Sequence, residues 1–66
     1  MQNTIKVQRA IHNMTQGELA EKIGVSRQTI NAMESNKYVP STVLALKIAR
    51  LFNVKVEDIF TLEETD

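Results

Sequence analysis

Two short amphipathic segments separated by only three residues constrain the fold of this chain more than any other feature. The first segment ends at Ile23, the second begins at Arg27, and Gly24-Val25-Ser26 lies between them. A connection this short requires two helices that cross at a steep angle. Gly24 accepts the left-handed backbone that ends a helix, and Ser26 is a residue type that caps the next one. We therefore predict a helix-turn-helix unit over residues 16–35.

Apolar residues within this unit recur at the three- and four-residue spacing of helices that bury one face. Leu19, Ala20 and Ile23 form such a face in the first helix, and Ile30 and Met33 form one in the second. Ala20 is small enough to let the two helices approach closely, while Ile30 fills the space between them. The pattern predicts that the remaining faces of both helices lie in solvent.

Three more helices are predicted around this unit, which gives an all-α fold with five helices. Capping residues and glycine or asparagine stops mark the helix ends, and Ile5, Ala10 and Ile11 are expected on the inward face of the first helix. The chain after the last helix, residues 61–66, is predicted to be an extended or frayed tail. The predicted helices cover residues 4–12, 16–23, 27–34, 42–52 and 56–60.

Positive charge dominates the first 50 residues and negative charge the remainder, although the formal net charge of the chain is zero. Residues 1–50 carry seven Lys and Arg against three Glu, or +4, and residues 51–66 carry one Lys against five Asp and Glu, or −4. A basic body with an acidic end can bind phosphate on one side and avoid it on the other. The charge distribution is therefore compatible with nucleic-acid binding.

The length of 66 residues allows a single domain, residues 1–66. A chain of this size buries only about 60% of its unfolded surface, so a partner subunit is a common source of additional stability. There is no cysteine and only one histidine, so we expect neither a metal site nor another cofactor. The sequence has no export signal and no run of about 20 apolar residues, so we expect a cytoplasmic protein without membrane contact.

Residues 14–30, Met-Thr-Gln-Gly-Glu-Leu-Ala-Glu-Lys-Ile-Gly-Val-Ser-Arg-Gln-Thr-Ile, resemble the helix-turn-helix of phage-repressor proteins, the Cro/cI or XRE family. The resemblance continues through residues 45–49 and 56–60 and thus covers nearly the whole chain. It implies a five-helix, lambda-repressor-like DNA-binding domain in its minimal stand-alone form. It also implies a function in transcription regulation.

Several positions depart from the pattern of this family, among them Gln8, which stands where relatives often have an apolar residue. Gly17 stands in the first turn of the second helix where a helix former is usual, so this helix should start less firmly. Ser35-Asn36 replaces the common Asn-Gly after the third helix, and asparagine adopts the left-handed conformation at more cost than glycine. Lys55 precedes the last turn where a capping serine is preferred, so this turn is expected to fray.

The third helix is predicted to read DNA bases through Arg27, Gln28 and Asn31, with Ala32 exposed further along. In helix-turn-helix proteins, the N-terminal residues of this helix meet base edges in the major groove. Arginine can bond guanine through two donors, and glutamine or asparagine pairs with the donor and acceptor of adenine. The alternative for these polar residues is an ordinary solvated helix face.

Five residues are predicted to contact the DNA backbone: Gln16, Ser26, Asn36, Lys37 and Tyr38. Gln16 begins a helix, where free N–H groups and the helix dipole favour an anion. The resemblance implies that Gln16 holds a phosphate and supports Gln28, and that residues 36–38 form the loop that grips the sugar-phosphate backbone. Packing in the core is an equal alternative for Tyr38.

The resemblance also implies a structural ion pair between Arg9 and Glu34. This pair would tie the first helix to the end of the third one. Two independent surface charges are the alternative.

A two-fold homodimer is predicted because one eight-residue helix, about 12 Å long, can read only a few base pairs. A dimer would place two such helices about 34 Å apart on a near-palindromic operator. Residues 60–62 could pair as a strand with the second copy. The candidate dimer segment is 51–62, with the apolar residues Leu51, Val54, Val56, Ile59, Phe60 and Leu62.

Together these features predict sequence-specific binding of double-stranded DNA by a dimeric transcriptional regulator, with repression as its expected effect. The first alternative is an antitoxin or adaptor that acts by binding a partner protein, with the acidic residues 63–66 as its interaction segment. An enzyme is disfavoured because no catalytic dyad, metal cluster or phosphate-binding glycine loop is visible. RNA binding is disfavoured because the aromatic stacking platforms for single strands are missing.

Overall fold

The computed structural model describes the whole chain, residues 1–66, as five helices and one small antiparallel sheet. The predicted fold with five helices is confirmed, and every helix end lies within one residue of its predicted position. None of the helices combines the length and apolar composition needed to cross a membrane. The helices are α1 (Ile5–Ile11), α2 (Gln16–Ile23), α3 (Arg27–Glu34), α4 (Thr42–Phe52) and α5 (Val56–Ile59). The strands are β1 (Gln2–Asn3) and β2 (Phe60–Thr61).

Polar side chains cap the starts of α2, α3 and α4. Thr15 Oγ1 accepts the N–H of Glu18, and Glu18 Oε1 accepts the N–H of Thr15, both at 3.1 Å. Hydrogen bonding of the Glu18 carboxylate to Thr15, first to its backbone N–H and then to its side chain, holds the pKa of this carboxyl below its ordinary value. Ser26 and Ser41 each accept the N–H three residues later, at 3.2 Å. The two reciprocal bonds between Thr15 and Glu18 form a capping box, which stabilises the first turn of α2 although Gly17 lies in it.

The single-turn helix α5 begins without a capping side chain on the preceding residue. The side chain of Lys55 has no acceptor atom, and the N–H of Lys55 instead donates to Asp58 Oδ2 at 3.0 Å. The carboxylate of Asp58 also lies in the first turn, where the helix dipole favours negative charge. Asp58 therefore supplies one hydrogen bond at the start of α5, and the second bond, which a serine at position 55 would accept with its hydroxyl, is absent.

Four helices end at a residue in the left-handed conformation. Asn13, Gly24, Asn36 and Asn53 have φ values of 53°, 79°, 61° and 57°. In each case the N–H of the following residue bonds to the carbonyl five positions back, which is the Schellman arrangement. These ends reverse the chain within two residues and allow five helices to pack in a short sequence.

One apolar core lies between the helices, and α1 contributes only Ile5 to it. The prediction that Ala10 and Ile11 point inward is wrong, because both are exposed, Ile11 by 67%. Ile11 is six residues from Ile5, which places it about 120° away around the helix. The half-buried side of α1 instead carries Gln8 and Arg9. The core residues are Ile5, Leu19, Ala20, Ile23, Ile30, Met33, Ile48, Ala49, Phe52, Ile59 and Phe60.

The two ends of the chain meet in the sheet, which the sequence did not predict. Asn3 lies opposite Phe60, and Gln2 lies opposite Thr61. Thr61 is extended, as predicted, but it is paired in the sheet rather than frayed. β1 of the same chain occupies one edge of β2, so pairing of residues 60–62 with a second copy stays a prediction for the other edge.

This arrangement corrects the predicted dimer surface. Ile59 and Phe60 are only 1% and 8% exposed, because α5 and β2 turn them into the core of their own chain. They are not available to a second copy in this conformation. Leu51, Val54 and Val56 are half-buried against the core, and Leu62 is 78% exposed.

Candidate nucleic-acid interface

Helix α3 carries three polar side chains on one exposed face. Arg27, Gln28 and Asn31 line a single open hollow that contains no apolar residue. On the opposite face, Ile30 and Met33 are completely buried, with 0% exposure each. Because the buried residues determine how the helix is rotated, the polar residues face away from the core. The structure thus brings the three predicted base-reading residues together on one surface.

A second hollow lies on the other side of Gln28 and is mostly apolar. Ala32 of α3, Tyr38 of the following loop and Leu44 of α4 are among its lining residues. Tyr38 is 42% exposed, so neither full burial in the core nor a fully solvated position describes it. Apolar side chains of this kind can contact the C5 methyl group of thymine. Gln28 therefore stands between a polar and an apolar surface.

A cluster of three side chains joins α1, α2 and α3. Arg9 Nε and Nη2 donate to Glu34 Oε2 and Oε1 at 2.6 and 3.0 Å, and Arg9 Nη1 donates to the carbonyl of Met14 at 2.9 Å. Gln16 Nε2 donates to Glu34 Oε1 at 3.1 Å. The bidentate contact between Arg9 and Glu34 is the strong form of an ion pair. It connects the first helix to the end of α3.

The charge state of this cluster follows from its contacts. Burial acts to raise the pKa of the Glu34 carboxyl, but the hydrogen bonds from Arg9 and Gln16 and the charges of Arg9 and Lys6 outweigh it, so the pKa lies below its ordinary value. The hydrogen bond to Glu34 raises the pKa of Arg9. Both groups are therefore charged at neutral pH.

The side chain of Gln16 is placed differently from the prediction. Its amide donates to Glu34, so the structure does not contain the expected support of Gln28 by Gln16. Gln16 also lines an open hollow with Gly17 and the two arginines Arg9 and Arg27. The hollow lies at the N-terminus of α2, where an anion is electrostatically favoured.

The loop after α3 carries the other predicted backbone contacts. Asn36 adopts the left-handed conformation, and Lys37 is exposed beside it. Asn3 of β1 donates from Nδ2 to the carbonyl of Met33 at 2.7 Å and to Asn36 Oδ1 at 3.2 Å. Sequence reasoning missed Asn3, because no local pattern connects it to residues 30 and 33 positions away.

Ser26, the remaining predicted backbone contact, is exposed in the turn before α3. Its Oγ accepts the N–H of Thr29 at 3.2 Å and lies 2.9 Å from Thr29 Oγ1. The hydroxyl of Ser26 is thus engaged as a helix cap. The acidic tail lies elsewhere, where Glu63 and Asp66 contact the amino group of Met1 at 3.1 and 2.9 Å.

The family model and the relatives that match this chain are all of the helix-turn-helix type. The helix-turn-helix family model matches residues 5–59, which include all five helices. The chain is 58% identical over 66 residues to an uncharacterised HTH-type transcriptional regulator of Methanocaldococcus jannaschii, a match that covers 100% of both chains. It is 50% identical over 64 residues to the uncharacterised HTH-type transcriptional regulator YgzD of Bacillus subtilis, over 97% of each chain.

Two solved structures share the fold. A crystal structure of a Bacteroides fragilis protein assigned as DNA-binding superposes with a TM-score of 0.79 at 40% identity, over 88% of this chain and 94% of that one. The solution structure of the SOS-response transcriptional repressor LexA from Eubacterium rectale superposes with a TM-score of 0.80 at 27% identity, over 94% of this chain and 66% of that one.

Proposed function

Since this chain belongs to the helix-turn-helix family of the phage-repressor (XRE) type, we propose that it is a dimeric repressor that reads a near-palindromic operator with α3. Family membership confirms the predictions that the chain is a DNA-binding transcriptional regulator and that it is not an enzyme. One observation carries the finer proposal. Arg27, Gln28 and Asn31 are exposed together on a helix whose other face is completely buried.

Base recognition is assigned to this polar face of α3. Arg27 can donate two hydrogen bonds to guanine, and Gln28 and Asn31 can each pair with adenine in the major groove. The apolar hollow that includes Ala32 and Tyr38 borders Gln28, which favours a thymine next to the base that Gln28 reads. We therefore expect each half-site to contain both a G·C pair and A·T pairs.

Contacts to the DNA backbone are assigned to residues that precede and follow α3 in the chain. Ser26 caps the start of α3, Gln16 begins α2 and contacts Glu34, and Asn36, Lys37 and Tyr38 follow the end of α3. Lys37 is the only one of these with a full positive charge, and neutralising one phosphate releases condensed counterions. Changing Lys37 to alanine should weaken binding to all DNA sequences similarly and lower the salt slope by about one.

The dimer interface is assigned to the acidic C-terminal segment of the chain. Leu51, Val54, Val56 and Leu62 are the exposed or half-buried apolar residues of the acidic segment, residues 51–66. An acidic surface is repelled by phosphate, so this segment is suited to face a second copy rather than the duplex. We place the dimer in the cytoplasm, where chromosomal DNA is accessible.

The experiment that tests this function is selection of bound sites from a pool of random DNA duplexes. We expect enrichment of one near-palindromic site whose half-sites are about one helical turn, 10–10.5 base pairs, apart from centre to centre. A promoter that carries the selected site should be less active when the protein is present. Failure to enrich any sequence would contradict specific recognition, and higher promoter activity would contradict repression.

A further inference from the structure

The side chain of Asn3 connects three parts of the molecule. Nδ2 donates to the carbonyl of Met33 at 2.7 Å and to Asn36 Oδ1 at 3.2 Å, while Oδ1 accepts the N–H of Ile5 at 3.2 Å. A side-chain amide has two N–H donors and one carbonyl, so every polar group of Asn3 is used. Asn3 therefore links the start of α1 to the end of α3.

Met33 and Asn36 belong to the turn that ends the helix proposed to read DNA. Asn36 has a φ of 61°, and its N–H donates to the carbonyl of Met33 at 3.1 Å. The N–H of Lys37 donates to the carbonyl of Ala32 at 2.9 Å and completes the turn. A glycine at position 36 would have no side chain for Asn3 to hold. The asparagine thus gives the loop an anchor that the more usual glycine lacks.

The sheet attaches Asn3 to the apolar core. Asn3 pairs with Phe60 in the sheet, and the N–H of Thr4 donates to the carbonyl of Ile59 at 2.9 Å. Ile59 and Phe60 are buried in the core, so β1 is attached directly to it. The position of Asn3 relative to α3 is therefore determined by the packed body rather than by a mobile chain end.

We propose that Asn3 is a positioning residue of the DNA interface, because it holds the loop after α3 in the direction that brings Lys37 to the phosphates. Asn3 is half-buried and acts through Met33 and Asn36 rather than by touching DNA. The inference rests on the proposed function, since it assumes that Lys37 contacts the DNA backbone. It gives the two-residue strand β1 a role in binding as well as in folding.

The test is the salt dependence of binding to the selected site and to a scrambled duplex. Asn3→Ala should weaken binding to both duplexes by the same factor and lower the salt slope by about one, the same change that is expected for Lys37→Ala. In the double variant Asn3→Ala with Lys37→Ala, the slope should equal that of Lys37→Ala alone, because the same phosphate contact is lost. Asn3→Ser, whose hydroxyl can still accept the N–H of Ile5, should lower the slope equally while disturbing the start of α1 less.

Thr4→Val is the matched control for a purely structural effect. Thr4 Oγ1 donates to the carbonyl of Asp58 at 3.2 Å, so this change also removes one hydrogen bond from the N-terminal segment, but its partner lies in α5 rather than in the turn before Lys37. It should lower the melting temperature without changing the salt slope. The role of Asn3 is overturned if both of its variants keep the wild-type slope, if the double variant loses a further unit, or if Thr4→Val lowers the slope as much.

The same measurements separate this inference from the proposed function. If Lys37→Ala lowers the slope and the Asn3 variants do not, only the role of Asn3 is wrong. If Lys37→Ala leaves the slope unchanged, the proposed phosphate contact is wrong, and the inference about Asn3 falls with it.

Discussion

At the scale of single residues, hydrogen-bond partners separate the side chains that hold the helices together from those proposed to face DNA. The guanidinium of Arg9 is engaged by Glu34 and by the carbonyl of Met14, so Arg9 serves the fold. The guanidinium of Arg27 instead lines an open polar hollow with Gln28. Two residues of the same type thus have different roles because only one of them meets a carboxylate within the chain.

The first prediction concerns Glu34. Glu34→Gln should lower the free energy of unfolding at pH 7 by about 1–3 kcal/mol, because a hydrogen-bonded charge pair loses one charge. The folded-state pKa of Glu34 lies below its unfolded value, so the wild-type chain takes up a proton on unfolding in acid and loses this stabilisation as the pH falls below about 5. Urea unfolding between pH 3 and 7 should show a weaker acid dependence for the variant.

Glu21→Gln is the matched control for this change. Glu21 is exposed on α2 and contributes to no ion pair, so the same substitution there should leave the unfolding free energy nearly unchanged. An acid dependence of Glu34→Gln identical to that of the wild type would show that Glu34 is not the group responsible.

Much of the site was predictable residue by residue, and the exceptions have a physical cause. The exposure of Arg27, Gln28 and Asn31 follows from helical periodicity, because Ile30 and Met33 determine which face is buried. The partner of Gln16 and the role of Asn3 did not follow, because each depends on contacts between elements that are distant in sequence. Local patterns carry no information about such contacts.

At the scale of elements, the ends of the helices determine how the interface is built. Capping side chains at Thr15, Ser26 and Ser41 and left-handed residues such as Gly24 and Asn36 are local signals, which is why the helix boundaries were predicted closely. The sheet was missed because its strands have two residues each and lie at opposite ends of the chain. Neither strand has the alternating pattern by which strands are recognised.

The second prediction compares the two glycines. Gly24→Ala should lower the free energy of unfolding by about 1–2 kcal/mol, because φ at this position is +79° and a Cβ is strained there although no atom lies within 4 Å. Gly17→Ala should raise it by about 0.5–1 kcal/mol, since position 17 is helical and the nearest atom to a Cβ, Thr15 Oγ1, is 3.9 Å away. Denaturant unfolding measures both changes, and equal signs for the two variants would contradict this view of the turn.

At the scale of the whole molecule, charge and apolar surface are divided between two regions. The basic residues 1–50 carry α3 and its loop, and the acidic residues 51–66 carry the apolar residues proposed for the dimer. The position of the acidic segment was predictable from composition. The burial of Ile59 and Phe60 was not predictable from composition, because it depends on contacts with β1 and with the core. It removes two of the six residues expected at the dimer surface.

The third prediction tests the dimer. Leu62→Ser should raise the dimer dissociation constant by about fivefold or more, because a buried interface anchor contributes about 1 kcal/mol or more. Leu62 is 78% exposed in the single chain, so the monomer should remain folded. Leu46→Ser is the matched control, because Leu46 is 56% exposed on α4 outside the proposed surface. Sedimentation equilibrium distinguishes the two, and a larger effect at Leu46 would move the interface to α4.

The most direct test of base recognition by α3 is the affinity of Arg27→Ala for the selected operator and for a scrambled duplex at one salt concentration. The guanidinium lies at the open face of α3, so its removal should weaken binding to the operator by about 1–3 kcal/mol and relax the preference at one base pair. Binding to the scrambled duplex should weaken by less. Equal losses on the two duplexes, with the preference unchanged at every base pair, would contradict reading of the operator by this helix.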